Sequence, residues 1–156
     1  MAEETVYLTP EGKEELEREL SKLVTERRPE LAIKLKEAVA QGDLKENADY
    51  HDTKEQMAFV DGRIQYLENV LRSATIISND GRSGIVQIGS AVTIREEGSD
   101  EDEKYMIVGA AEANPREGRI SHESPIGSAL LGHKKGDKVR AMTPSGTVTF
   151  VIRKIE

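Results

Sequence analysis

The stretch Thr53-Lys-Glu-Gln-Met-Ala-Phe-Val-Asp-Gly-Arg-Ile-Gln-Tyr-Leu-Glu-Asn-Val-Leu71 carries Thr53 and then apolar residues at alternating steps of four and three. The same steps extend back to Tyr50 and forward to Ala74. This spacing keeps one stripe of a helix facing a second helix over about three and a half heptads. The sequence therefore predicts one arm of a long helical pair.

A first helix is predicted upstream, beginning at Thr9-Pro10-Glu11. These residues supply an N-cap hydroxyl, a proline at the first helical position and an acid that favours the helix dipole. Because the apolar pattern resumes after Pro29, we expect this proline to kink the helix without ending it. The apolar stripe of this helix, with Arg27 in its gap, consists of Leu16, Leu20, Leu23, Leu31, Leu35 and Ala38.

The polar segment 41–45 between the two helices is too short for anything but an antiparallel return. Each arm holds about 30 residues, so the hairpin should be roughly 45 Å long at about 1.5 Å per residue. We therefore predict an α+β protein in which residues 1–77 form a long antiparallel hairpin with an acidic tip. Residues 78–84, which are rich in turn formers, are predicted to be a linker.

Residues 85–156 are predicted to form a small antiparallel sheet. Residues 90–95 and 105–108 resemble strands that flank an acidic turn at 98–103. Residues 139–142 and 147–155 flank a turn at 143–146 in the same way. Between these hairpins, a short helix over 125–131, closed by Gly132, is expected to pack on the sheet.

Composition excludes several classes of function. The net charge of −7 argues against sequence-independent binding to nucleic acid, which needs a basic surface. The absence of cysteine excludes disulfides, a thiolate nucleophile and a zinc–thiolate site. The start lacks the pattern of a signal peptide, and no apolar run approaches the roughly 18 residues of a membrane span. We expect a cytoplasmic protein with no membrane contact.

Acids recur at every third position from the predicted tip into the second helix: Asp43, Glu46, Asp49, Asp52 and Glu55. One interpretation is a solvated acidic face, stabilised by the positive end of the second helix. The other gives a chemical role to Asp43 and Glu46 alone, because they lie at the tip, beyond the packed stripe. Two such carboxylates form half of a site for a hard cation such as magnesium, which a partner would complete.

Three other kinds of site are disfavoured because the sequence lacks residues that each of them needs. A calcium loop starting at Asp43 would place Lys45 where an oxygen ligand is needed, and it lacks the glycine of the sharp turn. Ser121, His122 and Ser124 lack the elbow motif of a serine hydrolase. His51 has no second histidine at helical spacing, so it is not a predicted metal ligand.

Several segments together resemble the Gre transcript-cleavage factors of bacteria, in order and over nearly the whole chain. The tip motif Gly-Asp-Leu-x-Glu-Asn-Ala-x-Tyr, within residues 42–51, is the most specific of them. The others are Arg27-Arg-Pro-Glu-Leu31, Lys54-Glu-Gln56, Gly62-Arg-Ile64, the segment 120–132 (Ile-Ser-His-Glu-Ser-Pro-Ile-Gly-Ser-Ala-Leu-Leu-Gly) and Gly136-Asp137.

The resemblance implies a coiled-coil hairpin followed by a domain of FKBP-like fold. It implies a monomer that binds RNA polymerase at the rim of its secondary channel and is not itself an enzyme. Asp43 and Glu46 match the family's two essential acids. They would share a loosely held Mg²⁺ with the polymerase and orient the attacking water, so that the polymerase cleaves backtracked RNA at a new 3′ end.

One departure concerns the basic patch that the family often carries before the tip. Residues 38–41 are uncharged here, and Lys54 alone matches a basic position across the hairpin. Together with the acidic pI of about 5.1, this favours the GreA type over the more basic GreB type. Arg27 and Arg28 would either face RNA or pair with nearby acids, and the sequence does not decide between these roles.

The resemblance also places Ser124, Pro125 and Ile126 near the polymerase contact, whereas the residues themselves favour a helix that covers the sheet. Two other functions stay open at this point. One is a non-catalytic regulator that inhibits polymerase from the same channel, although the relatives that inhibit alter the acidic tip. The other is a prolyl isomerase, suggested by the second half alone and disfavoured because two Phe and no Trp offer little aromatic pocket.

Overall fold

A computed structural model describes residues 5–78 and 83–156 and combines a long helical region with a sheet. In this part of the chain the helices are α1 (Pro10–Lys22), α2 (Arg28–Ala40), α3 (Ala48–Ser73) and α4 (Pro125–Leu130). The strands are β1 (Tyr7–Leu8), β2 (Thr75–Ile76), β3 (Ala91–Glu96), β4 (Asp102–Val108), β5 (Arg119–Ser121), β6 (Lys138–Thr143) and β7 (Gly146–Ile155).

The chain divides into two compact units. One unit, the helical unit, is Glu14–Ser73, and the other holds the N-terminal segment through Lys13 together with the chain from Ala74 onward. This division differs from the predicted boundary at residue 77, because the first residues belong with the sheet. Of the predicted linker 78–84, residues 79–82 lie outside the described residues.

In the helical unit, the predicted apolar stripe is the packed face. Its members are buried or half-buried on both helices, and Leu31 and Leu67 are completely buried. Arg63 of α3 donates to both carboxylate oxygens of Glu19, at 2.8 and 3.0 Å, and these bonds raise the pKa of the guanidinium. Such pairs join the start of one arm to the end of the other, so the prediction of long helices that return antiparallel is confirmed.

The helix continues across Pro29, as predicted. A five-residue π-helical turn, Leu23–Arg27, separates α1 from α2, and Pro29 lies in the first turn of α2. A proline lacks the N–H of the helical ladder, and its ring collides with the carbonyl four residues earlier. A wider turn just before Pro29 accommodates both constraints while the backbone stays helical. The sequence predicted a kink at this point and not a π-helical turn.

The large sheet has the strand order β5-β4-β3-β7-β6. The pairs β3–β4, β3–β7 and β6–β7 are antiparallel, as expected from the two predicted hairpins. The prediction of a purely antiparallel sheet is wrong at one edge, because β5 lies parallel to β4. The connection between them contains two short 3₁₀ turns, Ala110–Glu112 and Pro115–Glu117, and is long enough to cross over rather than reverse.

The core of the sheet unit lies between one face of the sheet and α4. Ile94, Ile107 and Ile152 are buried on the inner face, and Leu130 of α4 is buried against them. The short helix predicted at 125–131 is therefore present, and it is followed by Gly132, whose φ of 81° suits glycine. This arrangement positions the loop that precedes α4.

The N-terminal segment is attached to this unit by two sets of contacts. Strand β1 pairs in parallel with β2. The buried carboxylate of Glu112 accepts hydrogen bonds from the Thr9 backbone N–H at 2.8 Å and from the Thr9 hydroxyl at 2.6 Å. The same hydroxyl accepts from the Gly12 N–H at 3.0 Å, which confirms Thr9 as the N-cap of α1. A side chain at position 12 would collide with Glu112.

Among the described residues, no helix combines the length and the apolar character that crossing a membrane requires.

The packed stripe generates a stability prediction. Leu67→Ala should lower the free energy of unfolding of the helical unit by about 3 kcal/mol, because it opens a cavity at a completely buried position. Ile33→Ala, at a residue that is 61% exposed, should change it by less than about 0.5 kcal/mol. Urea unfolding followed by far-ultraviolet circular dichroism measures both. Equal effects would mean that the stripe does not hold the hairpin.

Candidate functional site at the helical connection

The connection between α2 and α3 places the predicted acids. Helix α2 ends at Ala40, and the Gln41 N–H still donates to the Ala38 carbonyl at 3.2 Å. Gly42 then takes a φ of 121°, a conformation that side chains rarely adopt, and this turns the chain out of the helix. Helix α3 begins at Ala48, so the connection is slightly longer than the predicted segment 41–45.

Asn47 fastens the two ends of the connection together. Its side-chain oxygen accepts from the Tyr50 N–H at 3.0 Å and so caps the start of α3. Its side-chain nitrogen donates to the Ala38 carbonyl at 2.7 Å, near the end of α2. Sequence reasoning missed this role, although an asparagine directly before a predicted helix is a strong N-cap signal.

The two acids predicted to be chemically active lie side by side. The carboxylates of Asp43 and Glu46 are exposed and line one depression of about 320 Å³ at the connection, together with Gln41, Asn47 and Asp49. One oxygen of Asp43 accepts from the Lys45 N–H at 3.0 Å. No hydrogen bond or ion pair joins the Glu46 carboxylate to the rest of the described chain. Asp43 is thus oriented by its own turn, whereas the Glu46 carboxylate has no such bond to orient it.

The remaining acids of the series have a different setting. Asp49 contributes to the same depression, whereas Asp52 accepts a hydrogen bond from Gln56 at 2.8 Å on the body of α3. Within the described ranges, no three acidic, histidine or cysteine side chains come together as a potential metal site. The donor set at the connection is therefore oxygen-rich and incomplete. A hard cation held there would take its further ligands from another molecule.

The arginines predicted as possible RNA contacts are engaged within the hairpin. Arg27 donates to Gln56 at 2.9 Å and to Glu30 at 3.3 Å. Arg28 donates to Asp61 at 2.8 Å across the two helices. Both arginines thus pair with neighbouring groups of the hairpin, and their contact with RNA stays a prediction. Lys54 differs from both, since its ammonium lies 5.5 Å from the centre of the Tyr50 ring and its side chain is exposed.

The residues predicted near the polymerase contact lie at the start of α4 in the sheet unit. The Ser124 hydroxyl accepts from the Gly127 N–H at 3.0 Å and donates to the Ser121 carbonyl at 2.7 Å, so it caps the helix. Pro125 follows at the first helical position and is exposed, while Ile126 is half-buried against the core. These contacts explain the segment structurally and leave Pro125 as its accessible member.

The described chain thus combines a helical hairpin that has two exposed carboxylates at its connection with a small sheet unit. Residues 6–76 match the family model described as "Transcription elongation factor, N-terminal". Residues 81–156 match the model "Transcription elongation factor, GreA/GreB, C-term". The chain belongs to the GreA/GreB family of transcription elongation factors.

Full-length relatives agree with this assignment. The chain is 47% identical to transcription elongation factor GreA of Bacillus subtilis, with 99% of both proteins covered. It is also 47% identical to transcription elongation factor GreA of Chloroflexus aggregans, again with 99% of both covered. Among solved structures, GreA factor homolog 1 (Gfh1) of Thermus thermophilus is 32% identical, with 98% of this chain and 99% of that chain covered and a TM-score of 0.45.

Asn47 generates a prediction about the connection. Asn47→Ala should lower the free energy of unfolding of the helical unit by about 2 kcal/mol, because it removes a cap and a hydrogen bond between the helices. Asn47→Asp keeps the cap oxygen and loses only the donor to Ala38, so it should cost about 1 kcal/mol. Urea unfolding measures the free energy of unfolding of both variants, and hydrogen exchange at the Tyr50 amide shows whether the cap is lost. Faster exchange of that amide in both variants alike would contradict the capping role.

Proposed function

We propose that this chain is a transcription elongation factor that binds RNA polymerase and stimulates the polymerase's own magnesium-dependent cleavage of backtracked RNA. Cleavage produces a new RNA 3′ end in register and so rescues arrested elongation complexes. The chain is not itself an enzyme in this proposal, because the polymerase makes and breaks the bonds. Family membership and full-length relatives named transcription elongation factor GreA support it.

The observation that carries the proposal is the pair Asp43 and Glu46. Both carboxylates are exposed at the connection and share one depression, with too few donors nearby for a complete metal site in the described chain. Such a pair is poorly suited to holding Mg²⁺ alone. It is well suited to completing the shell of an ion that the polymerase and the RNA already hold in part.

The two carboxylates differ in what they can do. When bound, the shared Mg²⁺ activates a water molecule and stabilises charge in the in-line transition state. Asp43 has one oxygen that accepts from the Lys45 N–H, which leaves its second oxygen available as a ligand. Glu46 is unconstrained and can accept a hydrogen bond from the attacking water, which orients that water and takes up its proton.

In the proposal, the rest of the chain positions Asp43 and Glu46 near the polymerase's catalytic centre. In the proposal, the helical unit is a coiled coil that enters the polymerase's secondary channel as a monomer. The sheet unit has an FKBP-like fold and contacts the channel rim through the segment that contains Ser124, Pro125 and Ile126, with Pro125 the most accessible. Among the basic residues, Lys54 is the contact proposed for the RNA 3′ end, because Arg27 and Arg28 already have partners in the hairpin.

A cleavage assay on arrested elongation complexes tests the pair. Asp43→Asn and Glu46→Gln keep the size of each side chain and remove its charge, so each should reduce stimulated cleavage by about a hundredfold. Raising the Mg²⁺ concentration should restore part of the loss, because the variants hold the shared ion more weakly. Glu68→Gln, at an exposed acid of α3 away from the connection, is the matched control and should behave like the wild type.

Two results would contradict the proposal. If Asp43→Asn or Glu46→Gln stimulates cleavage as well as the wild type, the assigned roles are wrong. If the wild type binds polymerase and suppresses RNA synthesis without promoting cleavage, the chain is an inhibitory regulator of the same channel.

A further inference from the structure

The helical unit carries a second surface, away from the connection, that its packing does not explain. We name it the Phe59 groove; its apolar lining residues are Leu23, Phe59 and Val60, and the open groove has a volume of about 730 Å³. The Phe59 side chain is 77% exposed, although the whole chain contains only two phenylalanines. The exposed ring is accessible to a partner molecule, and aromatic side chains are enriched at protein interfaces.

The backbone of the groove is unusual as well. One wall comes from the π-helical turn Leu23–Arg27, which contributes Leu23, Glu26 and Arg27. Short π-helical segments occur frequently at functional sites. The opposite wall is the regular helix α3, where Val60 is buried in the stripe and the neighbouring Phe59 projects away from it. An irregular turn and an exposed aromatic ring thus meet at one place.

Charge at the rim indicates what the groove can bind. Four carboxylates line it, from Glu26, Glu30, Asp52 and Glu55, against the two cations Lys22 and Arg27. Arg27 already pairs with Glu30, so the excess negative charge faces whatever enters. Such a rim repels the phosphates of RNA or DNA. It is complementary to a polypeptide that presents lysine or arginine beside an apolar side chain.

We infer that the Phe59 groove is a docking site for a segment of RNA polymerase in which an apolar side chain is flanked by lysine or arginine. The inference rests on the proposed function, since it requires the helical unit to enter the polymerase. The groove contributes affinity, and the Asp43–Glu46 pair contributes to the reaction. The two surfaces are therefore separable by mutation.

Direct binding tests the apolar part of the inference. Because the chain has no cysteine, Ser145→Cys in the exposed β6–β7 turn gives a single position for a fluorescent label. Titration with purified bacterial RNA polymerase should give a Kd about tenfold or more higher for Phe59→Ala. Ile33→Ala removes a comparably exposed apolar side chain outside the groove and should leave the Kd unchanged. Both variants should unfold like the wild type, since both residues are exposed.

Charge reversal tests the polar part. Glu55→Lys at the rim should also raise the Kd, whereas Glu68→Lys, an exposed position of α3 outside the groove, should not. Tighter binding by Glu55→Lys would overturn the inference, because it would mean that the polymerase surface facing the groove is acidic and carries no lysine or arginine. Analytical sedimentation of the chain without polymerase tests whether a second copy of the chain occupies the groove instead. A dimer that Phe59→Ala abolishes would identify a second copy of this chain and would also overturn it.

The cleavage assay separates this inference from the proposed function. Phe59→Ala should raise the concentration of half-maximal stimulation and reach the same maximal cleavage, whereas Asp43→Asn should lower the maximum. If the wild type binds and stimulates while Phe59→Ala matches Ile33→Ala, the groove inference alone fails. If Phe59→Ala lowers the maximum at an unchanged half-saturating concentration, the groove acts on the reaction and docking is wrong. A wild type that neither binds nor stimulates overturns both proposals.

Discussion

The apolar stripe along which α1 and α2 pack against α3 is the constraint on which the candidate site depends. Each helix buries one narrow face, with Leu31 and Leu67 completely inaccessible, and leaves the rest of its surface to charged residues. A pair of helices packed this way needs few aromatic residues and has no core at its end. Asp43 and Glu46 therefore stay exposed on a connection whose position the stripe nevertheless determines. Helical packing fixes the position of the connection, and the connection presents the two acids at its surface.

A glycine turn and a few short hydrogen bonds determine the conformation of the connection between α2 and α3. Gly42 turns the chain where a side chain would be strained, and Asn47 joins the start of α3 to the end of α2. The hydrogen bond from Lys45 to Asp43 orients one carboxylate without burying it. Apart from the Asp43 carboxylate itself, the groups in these contacts are backbone groups or neutral side chains. The contacts therefore place no positively charged side chain on either acid.

The features that could be predicted from the sequence are those determined by residues close together in the chain. The helical stripe has a period, Thr9 and Ser124 are caps followed by proline, and Gly132 ends a short helix. What sequence reasoning missed depends on partners far along the chain. Strands β1, β2 and β5 have only two or three residues each, so no pattern marks them, and the Thr9–Glu112 contact joins residues 103 positions apart. For the site, the turn and the family resemblance identified Asp43 and Glu46, but the register that pairs Arg28 with Asp61 requires the folded hairpin.

In the proposed function, the free energy needed to place two acids beside RNA has to come from a surface other than the acidic connection. Bringing two carboxylates close to RNA phosphates is unfavourable until a divalent cation lies between them, because like charges repel more strongly as water is excluded. The connection therefore contributes little affinity of its own before the ion is shared. The free energy for placing the connection has to come from contacts at other surfaces of the chain. Apolar contacts are suitable because they do not depend on the ion. The Phe59 groove lies on the same rigid helical pair, so binding there would hold the acidic connection near RNA regardless of metal occupancy. An acidic rim serves this purpose as well, since it excludes RNA from the groove and leaves it available to protein.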